Sequence, residues 1–402
     1  MLQRISISFI TLLATVYIGY MYNGAMMLLI PLFVKNQFNA SFTDVGLITS
    51  SFGIARLFTD VPAGSLSDNF GKKRCIISGL LIFSTGSIAT YFVINPLITT
   101  LARLAQGVGG ALFSVGGYSL LADFAPDGKR GKYFSYYSLM VNLGLITGPL
   151  IAGSVAEIYG LSAPFVILGV IGLGVAGLAA VKLKEPVKTK RVEHSNSLSY
   201  SSVLKRILTS RQYLLLNFAT FGIFLTYGII STAFPLYGQR FLGLSIQNIG
   251  FITTISTIPN MLSIVWSLFA LDRFGRKPSL IIGFVLIAIS GLGMIFSIDY
   301  LYIAMFYGLF SFGEGIGTTA QATLAIDFAE PGRRGPYLGV NRMFNDFGGI
   351  IGPIAAGVLL DVSFPTSPFL AISLTGCLLV ITSSLLKLDP IFFMRDIHHH
   401  EE

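Results

Sequence analysis

Long apolar runs, broken by short polar joints, follow one another along the whole 402-residue chain. Twelve can be marked: 7–32, 43–66, 75–94, 97–122, 133–156, 162–181, 212–238, 245–270, 278–297, 300–326, 337–360 and 367–387. Each is about the length, roughly 20 residues, with which a helix crosses the hydrocarbon core of a bilayer. The pattern predicts an all-α membrane protein with twelve transmembrane helices. No small-residue cleavage site follows the first run, which therefore reads as a retained helix rather than a signal peptide.

The runs come in two sets of six. Shifted by 204 positions, the sequence meets itself without a gap. Gly24 falls on Gly228, Pro31 on Pro235, Asp68 on Asp272, Gly71 on Gly275 and Lys73 on Lys277. Asp123 meets Asp327, and Gly148-Pro149 meets Gly352-Pro353. Most of these pairs are Gly, Pro or loop charges, which set backbone shape. The organisation expected is an N-terminal six-helix bundle (1–183), a polar Ser- and Lys-rich cytoplasmic linker (184–211), and a C-terminal bundle with a short cytoplasmic tail (212–402). An even number of spans per copy makes the repeats parallel.

Composition excludes a soluble domain, because only 11% of residues are charged and 53% are hydrophobic. The net charge of +8 could suggest nucleic acid, but its distribution does not. With the N-terminus in the cytoplasm, loops and tails on that side hold 22 of the 27 Lys and Arg. Lys35 and Arg240 lie on the other face, and Arg56, Arg103 and Arg342 lie inside spans. This is the positive-inside bias; it puts both termini in the cytoplasm and the basic side chains at anionic lipid headgroups. Cys75 and Cys377 read as buried packing residues, and the tail "HHHEE" as a frayed end. No metal site and no cofactor are expected.

The loop charges concentrate in "GSLSDNFGKKR" (Gly64 to Arg74) and "LFALDRFGRKP" (Leu268 to Pro278), between the second and third helix of each half. With "RLAQGVGGA" (Arg103 to Ala111) and "GLITGPLIAG" (Gly144 to Gly153), the chain resembles the major facilitator superfamily of secondary transporters. The first motif is similar to the family's loop signature, and the second to its fourth-helix Arg-x-x-Gln-Gly. The third is similar to the fifth-helix signature of the antiporter branches, drug exporters above all. Departures are Asn69 for a basic residue, Leu268 for Gly in the second loop and Ala152 for the first Gly of the closing pair. The resemblance implies two pseudo-symmetric six-helix bundles that rock around a midplane site.

Asp68 at a helix end can accept charge-assisted hydrogen bonds. With Lys72, Lys73, Arg74, Asp272, Arg273 and Arg276 it forms a candidate cytoplasmic latch; a plain topology anchor is the other reading. Gly144, Gly148 and Ala152 share one helix face, as do Gly348, Gly352 and Ala356. With Pro149 and Pro353 they suit either a pivot or static packing. Arg56 lies 12 residues before Asp68, about 18 Å along a helix and so near the midplane. It could pair with Asp60 one turn on, or bind an anion. Arg103, with Gln106, bears on proton coupling by the resemblance. Glu314 and Asp346 are candidate proton carriers, since burial favours the neutral carboxyl, and Asp60 joins the coupling group. Tyr20, Asn23, Asn142 and Asn345 add polar groups to a candidate substrate cavity with Arg56. "GLGVAG" (Gly172 to Gly177) matches a dinucleotide fingerprint but sits inside a span with no preceding strand, so it reads as helix packing. "NAS" at Asn39 fits a glycosylation acceptor.

The expectation is a secondary transporter, not an enzyme: proton-coupled antiport exporting amphipathic small molecules from the cell inner membrane. Its partners are a small-molecule substrate, protons and membrane lipids, with no nucleic acid, and it acts as a monomer. The alternatives are an uptake or exchange carrier for an organic anion or other metabolite, and a membrane sensor that does not transport.

Overall fold

The computed structural model describes residues 7–126, 128–185, 209–329 and 334–387. Most of the expected linker and the "HHHEE" tail lie outside the described residues. Among the described residues are twelve long helices and no strand. They are α1 (Ile7–Phe38), α2 (Phe42–Phe70), α3 (Lys72–Tyr91), α4 (Pro96–Phe124), α5 (Arg130–Tyr159), α6 (Ala163–Lys182), α7 (Arg211–Arg240), α8 (Ile246–Phe274), α9 (Arg276–Ile295), α10 (Tyr300–Phe328), α11 (Arg334–Val362) and α12 (Ser367–Ser384). Each apolar run overlaps one helix. Ten of the twelve are long and apolar enough to cross a membrane by length and composition; α2 and α10 are the others. Those two carry Arg56 with Asp60, and Glu314, within their length.

Local chemistry fixes the ends. Ser41, Asn95 and Asp299 accept from the backbone N–H three residues on, satisfying donors that a helix start leaves open. Gly71 and Gly275 join α2 to α3 and α8 to α9 at φ of 101° and 89°. That region is closed to most side chains, which accounts for the Gly in both copies of the loop pattern. Asn39 takes φ of 45° in the α1–α2 turn. Asn tolerates this conformation, so the turn gives "NAS" a structural reason.

The chain divides into two compact units that do not coincide with the two sequence repeats. The first holds Met1–Val192, Ser231–Ile255 and Pro353–Pro365; the second holds Glu193–Ile230, Ser256–Gly352 and Thr366–Glu402. Inside the first, α1 packs on α5, α4 on α2 and α3, and α3 on α6. Inside the second, α9 packs on α10 and α12. The core of the first unit is aromatic and aliphatic, with Phe9, Phe33, Tyr137 and Phe165 fully buried. Cys75 is buried as expected, but Cys377 is exposed. It shares α12 with exposed Leu374, Leu378 and Ile381, a face left open by the bundle, so burial is the wrong reading for it.

Glycines let backbones touch. A Cβ on Gly144 would lie 2.6 Å from the Tyr17 carbonyl oxygen of α1, and one on Gly148 would meet the Met21 carbonyl. In the second unit, Gly352 meets Gly228 and Leu225 of α7 in the same way. In "GLGVAG", Gly172 packs on Ser84, whereas Gly174 and Gly177 face open space. Another repeat-related site is filled differently in each half. Tyr137 lies fully buried with its hydroxyl 3.0 Å from where a Gly117 Cβ would sit. The equivalent pair is Asn341 and Gln321, joined by a 2.9 Å amide hydrogen bond.

Replacing Gly148 with Leu should therefore destabilise the protein by about 3 kcal/mol or more, through overpacking against rigid backbone. Gly174→Leu should leave stability nearly unchanged. Thermal melting of both variants in detergent checks the contrast.

Candidate functional site

In the first unit, α2 carries Arg56 and Asp60 one turn apart. The Arg56 guanidinium reaches Asp60 Oδ2 at 3.5 Å and Ser114 Oγ of α4 at 3.4 Å. Both contacts are long for charge-assisted hydrogen bonds. The Arg56 side chain is 26% exposed and that of Asp60 13%, so the pair is loosely held rather than sealed in the core.

Arg103 is different. It is 5% exposed on α4 and donates to Gln106 Oε1 at 2.8 Å; Gln106 in turn donates to Thr90 Oγ1 of α3 at 3.2 Å. The guanidinium carbon lies 4.7 Å from the centre of the Phe52 ring, a cation–π contact. Nε has no hydrogen-bond partner. The hydrogen-bond partner found for Arg103 is thus a neutral amide. The Tyr20 ring lies tilted against that of Phe113, centroids 6.1 Å apart, and Asn23 is partly buried one turn further along α1. Asn142 spends its amide on the Ser138 carbonyl of its own helix, at 2.8 Å.

In the second unit, Glu314 of α10 accepts from Asn260 Nδ2 of α8 at 2.6 Å and from Thr318 Oγ1 at 3.0 Å. Asn260 and Thr318 escape notice in the sequence because neither is charged. The 204-residue shift would have found them, for Asn260 is the repeat of Arg56 and Thr318 that of Ser114. A neutral amide therefore stands where the other repeat has a cation, and the acid lies beside it. Asn345 and Asp346 are partly buried on α11. They follow Asn341 by about one turn, and the Asn341 amide bonds Asn217 Oδ1 at 3.0 Å and Thr220 Oγ1 at 2.8 Å.

Lys72, Lys73, Arg276 and Lys277 bond inside their own repeats. Lys72 Nζ bonds Asp123 of α4, and Lys73 Nζ donates to the Ala180 carbonyl at the end of α6 at 2.7 Å. The second copy does the same. Arg276 Nε meets Asp327 Oδ2 at 3.3 Å, and Lys277 Nζ donates to the Ser384 and Leu386 carbonyls at 2.7 and 2.6 Å. Glu185 accepts from the Lys73 N–H at the start of α3. Arg74, Asp272 and Arg273 are exposed, with Arg273 over the Phe274 ring at 5.7 Å, and Asp68 is partly buried. The geometry is that of a brace tying α3 to α4 and α6, and α9 to α10 and α12.

The Major Facilitator Superfamily profile matches residues 11–247 and 216–395. A quinolone resistance protein, NorA of Staphylococcus aureus, is 26% identical over 375 residues, covering 89% of this chain and 92% of its own. An uncharacterized MFS-type transporter of Methanocaldococcus jannaschii is 26% identical over 325 residues, covering 79% and 82%. Among solved structures, a bacterial homolog of the human lysosomal transporter Spinster, inward-facing and unoccupied, aligns with a TM-score of 0.77 at 15% identity, covering 97% of each chain. The nucleoside transporter NupG aligns at 0.78 and 16% identity, over 94% of this chain and all of that one. With twelve long helices among its described residues, a duplicated six-helix sequence and the family's profile matched along nearly its whole length, the chain is a multi-pass membrane protein that belongs to the Major Facilitator Superfamily of transporters.

Proposed function

We propose that this transporter is a proton-coupled exporter of amphipathic small molecules, working by alternating access as a single chain. It sits in the cell inner membrane with both termini cytoplasmic, a reading that the positive-inside bias of its loops supports. The observation that carries the proposal is the setting of Glu314. Its described partners are an amide and a hydroxyl, both neutral. Proton uptake there changes the net charge of the site instead of rearranging an ion pair. Proton binding that favours one access state, with substrate favouring the other, couples the two fluxes. The likeness to a quinolone resistance protein along most of both chains supports drug-like amphipathic compounds as the substrate class, and resistance fits their removal from the cell.

A second reading, transport of an organic anion, is favoured by the loose 3.5 Å contact and partial exposure of Arg56. A guanidinium held this weakly by Asp60 is available to a carboxylate or phosphate.

In proteoliposomes, a one-unit pH gradient sustains about tenfold accumulation in a one-for-one exchange. Glu314→Gln should abolish that accumulation while passive exchange at equal pH persists. Retention of gradient-driven accumulation by the variant would remove Glu314 as the proton carrier.

The anion reading is checked separately. Arg56→Gln should weaken binding of an anionic substrate about tenfold to hundredfold, as for a lost hydrogen bond to a charged group, and Asp60→Asn should leave it intact. Equal loss of detergent stability in both variants, with binding unchanged, would make the pair structural.

A further inference from the structure

The first N–H groups of a helix have no partner within it. In α4 and α10 the preceding residue supplies one, through Asn95 and Asp299. At α2 and α8 local chemistry is not the whole answer. Ser41 Oγ accepts from the third N–H of α2, Asp44, at 3.0 Å. The first two, on Phe42 and Thr43, donate to Asp361 Oδ1 and Oδ2 at 3.0 and 2.7 Å. In α8, Ser245 Oγ accepts from Asn248 at 3.1 Å, and Ile246 and Gln247 donate to Glu157 Oε2 at 3.0 and 3.4 Å. The 204-residue shift carries Ser41 to Ser245, Phe42 to Ile246 and Glu157 to Asp361. The last residues of α5 in one repeat thus finish α8 of the other, and those of α11 finish α2. All of these residues lie in the first unit.

Glycines one turn earlier make the reach possible. A Cβ on Gly153 would stand 2.9 Å from the Ile246 carbonyl oxygen, and one on Gly357 would meet the Phe42 carbonyl still more closely. The tighter corner carries the shorter acid, Asp361. Gly46 lies against the Pro353 carbonyl and Gly250 against that of Pro149, again as a repeat-related pair. Asn36 Nδ2 donates to Gln239 Oε1 at 2.8 Å, and Thr254 Oγ1 to the Ile146 carbonyl at 3.0 Å.

We propose that Glu157 and Asp361 are two symmetry-related clasps that hold the repeats together at the face bearing the α1–α2 and α7–α8 turns. A permanent weld would be buried and apolar. Both acids are exposed, so water can take over the two N–H groups when the face opens, and the clasp is reversible. Loss of one cap is worth about fivefold in an equilibrium. Opening the face breaks both caps, so together they hold it shut by about 25-fold. The clasp rests on the alternating-access part of the proposed function and not on proton coupling or export.

The test is a distance measurement on the full chain in nanodiscs, with Cys75 and Cys377 replaced by Ser. Spin labels go at Ile94 and Ile298, which are 81% and 84% exposed and repeat-related. Asp361→Ala and Glu157→Ala should each raise the open-to-closed ratio about fivefold, and the double variant about 25-fold. Asp299→Ala, which removes a cap internal to one helix, should leave the ratio unchanged. Should the Ala variants fail to fold, Asp361→Asn and Glu157→Gln should shift it in the same direction by less. Distance distributions equal to that of Asp299→Ala would overturn the clasp. If acidification still moves the labels in that case, alternating access survives and only the clasp falls. If gradient-driven flux is absent but the clasp variants shift the distance, proton-driven export falls and the clasp stands.

Discussion

A backbone that enters hydrocarbon finds no water for its N–H and C=O groups and must satisfy them itself. The twelve helices are the first consequence, and the capped turns the second. A third is less visible in the sequence. Ser and Thr are frequent in the spans, yet many give their hydroxyls to their own helix: Thr15 to the Thr11 carbonyl, Thr49 to that of Val45, Thr59 to that of Ala55, Thr323 to that of Thr319. They add polarity to the sequence without adding a free donor to a site. Side chains that bond other side chains are the informative ones, and Arg56, Arg103, Gln106, Asn260, Glu314 and Asn341 are prominent among them.

Close backbone approach follows from the same constraint. Apolar side chains gain little by leaving lipid for protein, so membrane helices gain by bringing backbones together. Gly144 and Gly148 do this between α5 and α1, and Gly153 between α5 and α8. α5 is thus gripped on two sides by glycine contacts, one within its repeat and one across to the other. The face that the spacing singled out is the one within the repeat; the one across to the other repeat was hidden because Gly153 and Glu157 belong to a different stripe.

The spans, the duplication and the chemistry of the loops were legible because each depends on linear pattern: hydropathy, period, or Gly at a positive φ. Depth along a helix was legible too, which is why Arg56, Arg103 and Glu314 could be picked out. Rotation about the helix axis was not, since a helix apolar all round has no polar stripe to orient it. Asn142 gives its amide N–H to its own helix, a bond that the sequence does not announce. One partner of Glu314 is Asn260, an uncharged residue 54 positions away. For the same reason the basic loop residues, legible as charges at helix ends, gave no hint that Lys72 and Lys73 would turn back onto α4 and α6.

The filling of the Tyr137 and Asn341 positions bears on how the two repeats diverged. In one, a large ring fits because its neighbour is Gly117; in the other, two amides, Asn341 and Gln321, bridge the same gap. Changing Tyr137 to Asn alone opens a void, and changing Gly117 to Gln alone drives a side chain into the ring. Either single change is unfavourable, so the two positions are coupled within each repeat. The halves still share one backbone plan, but at this site their residues are no longer interchangeable one at a time. A chimera that crosses over between α4 and α5 would inherit mismatched partners even though every helix in it is native.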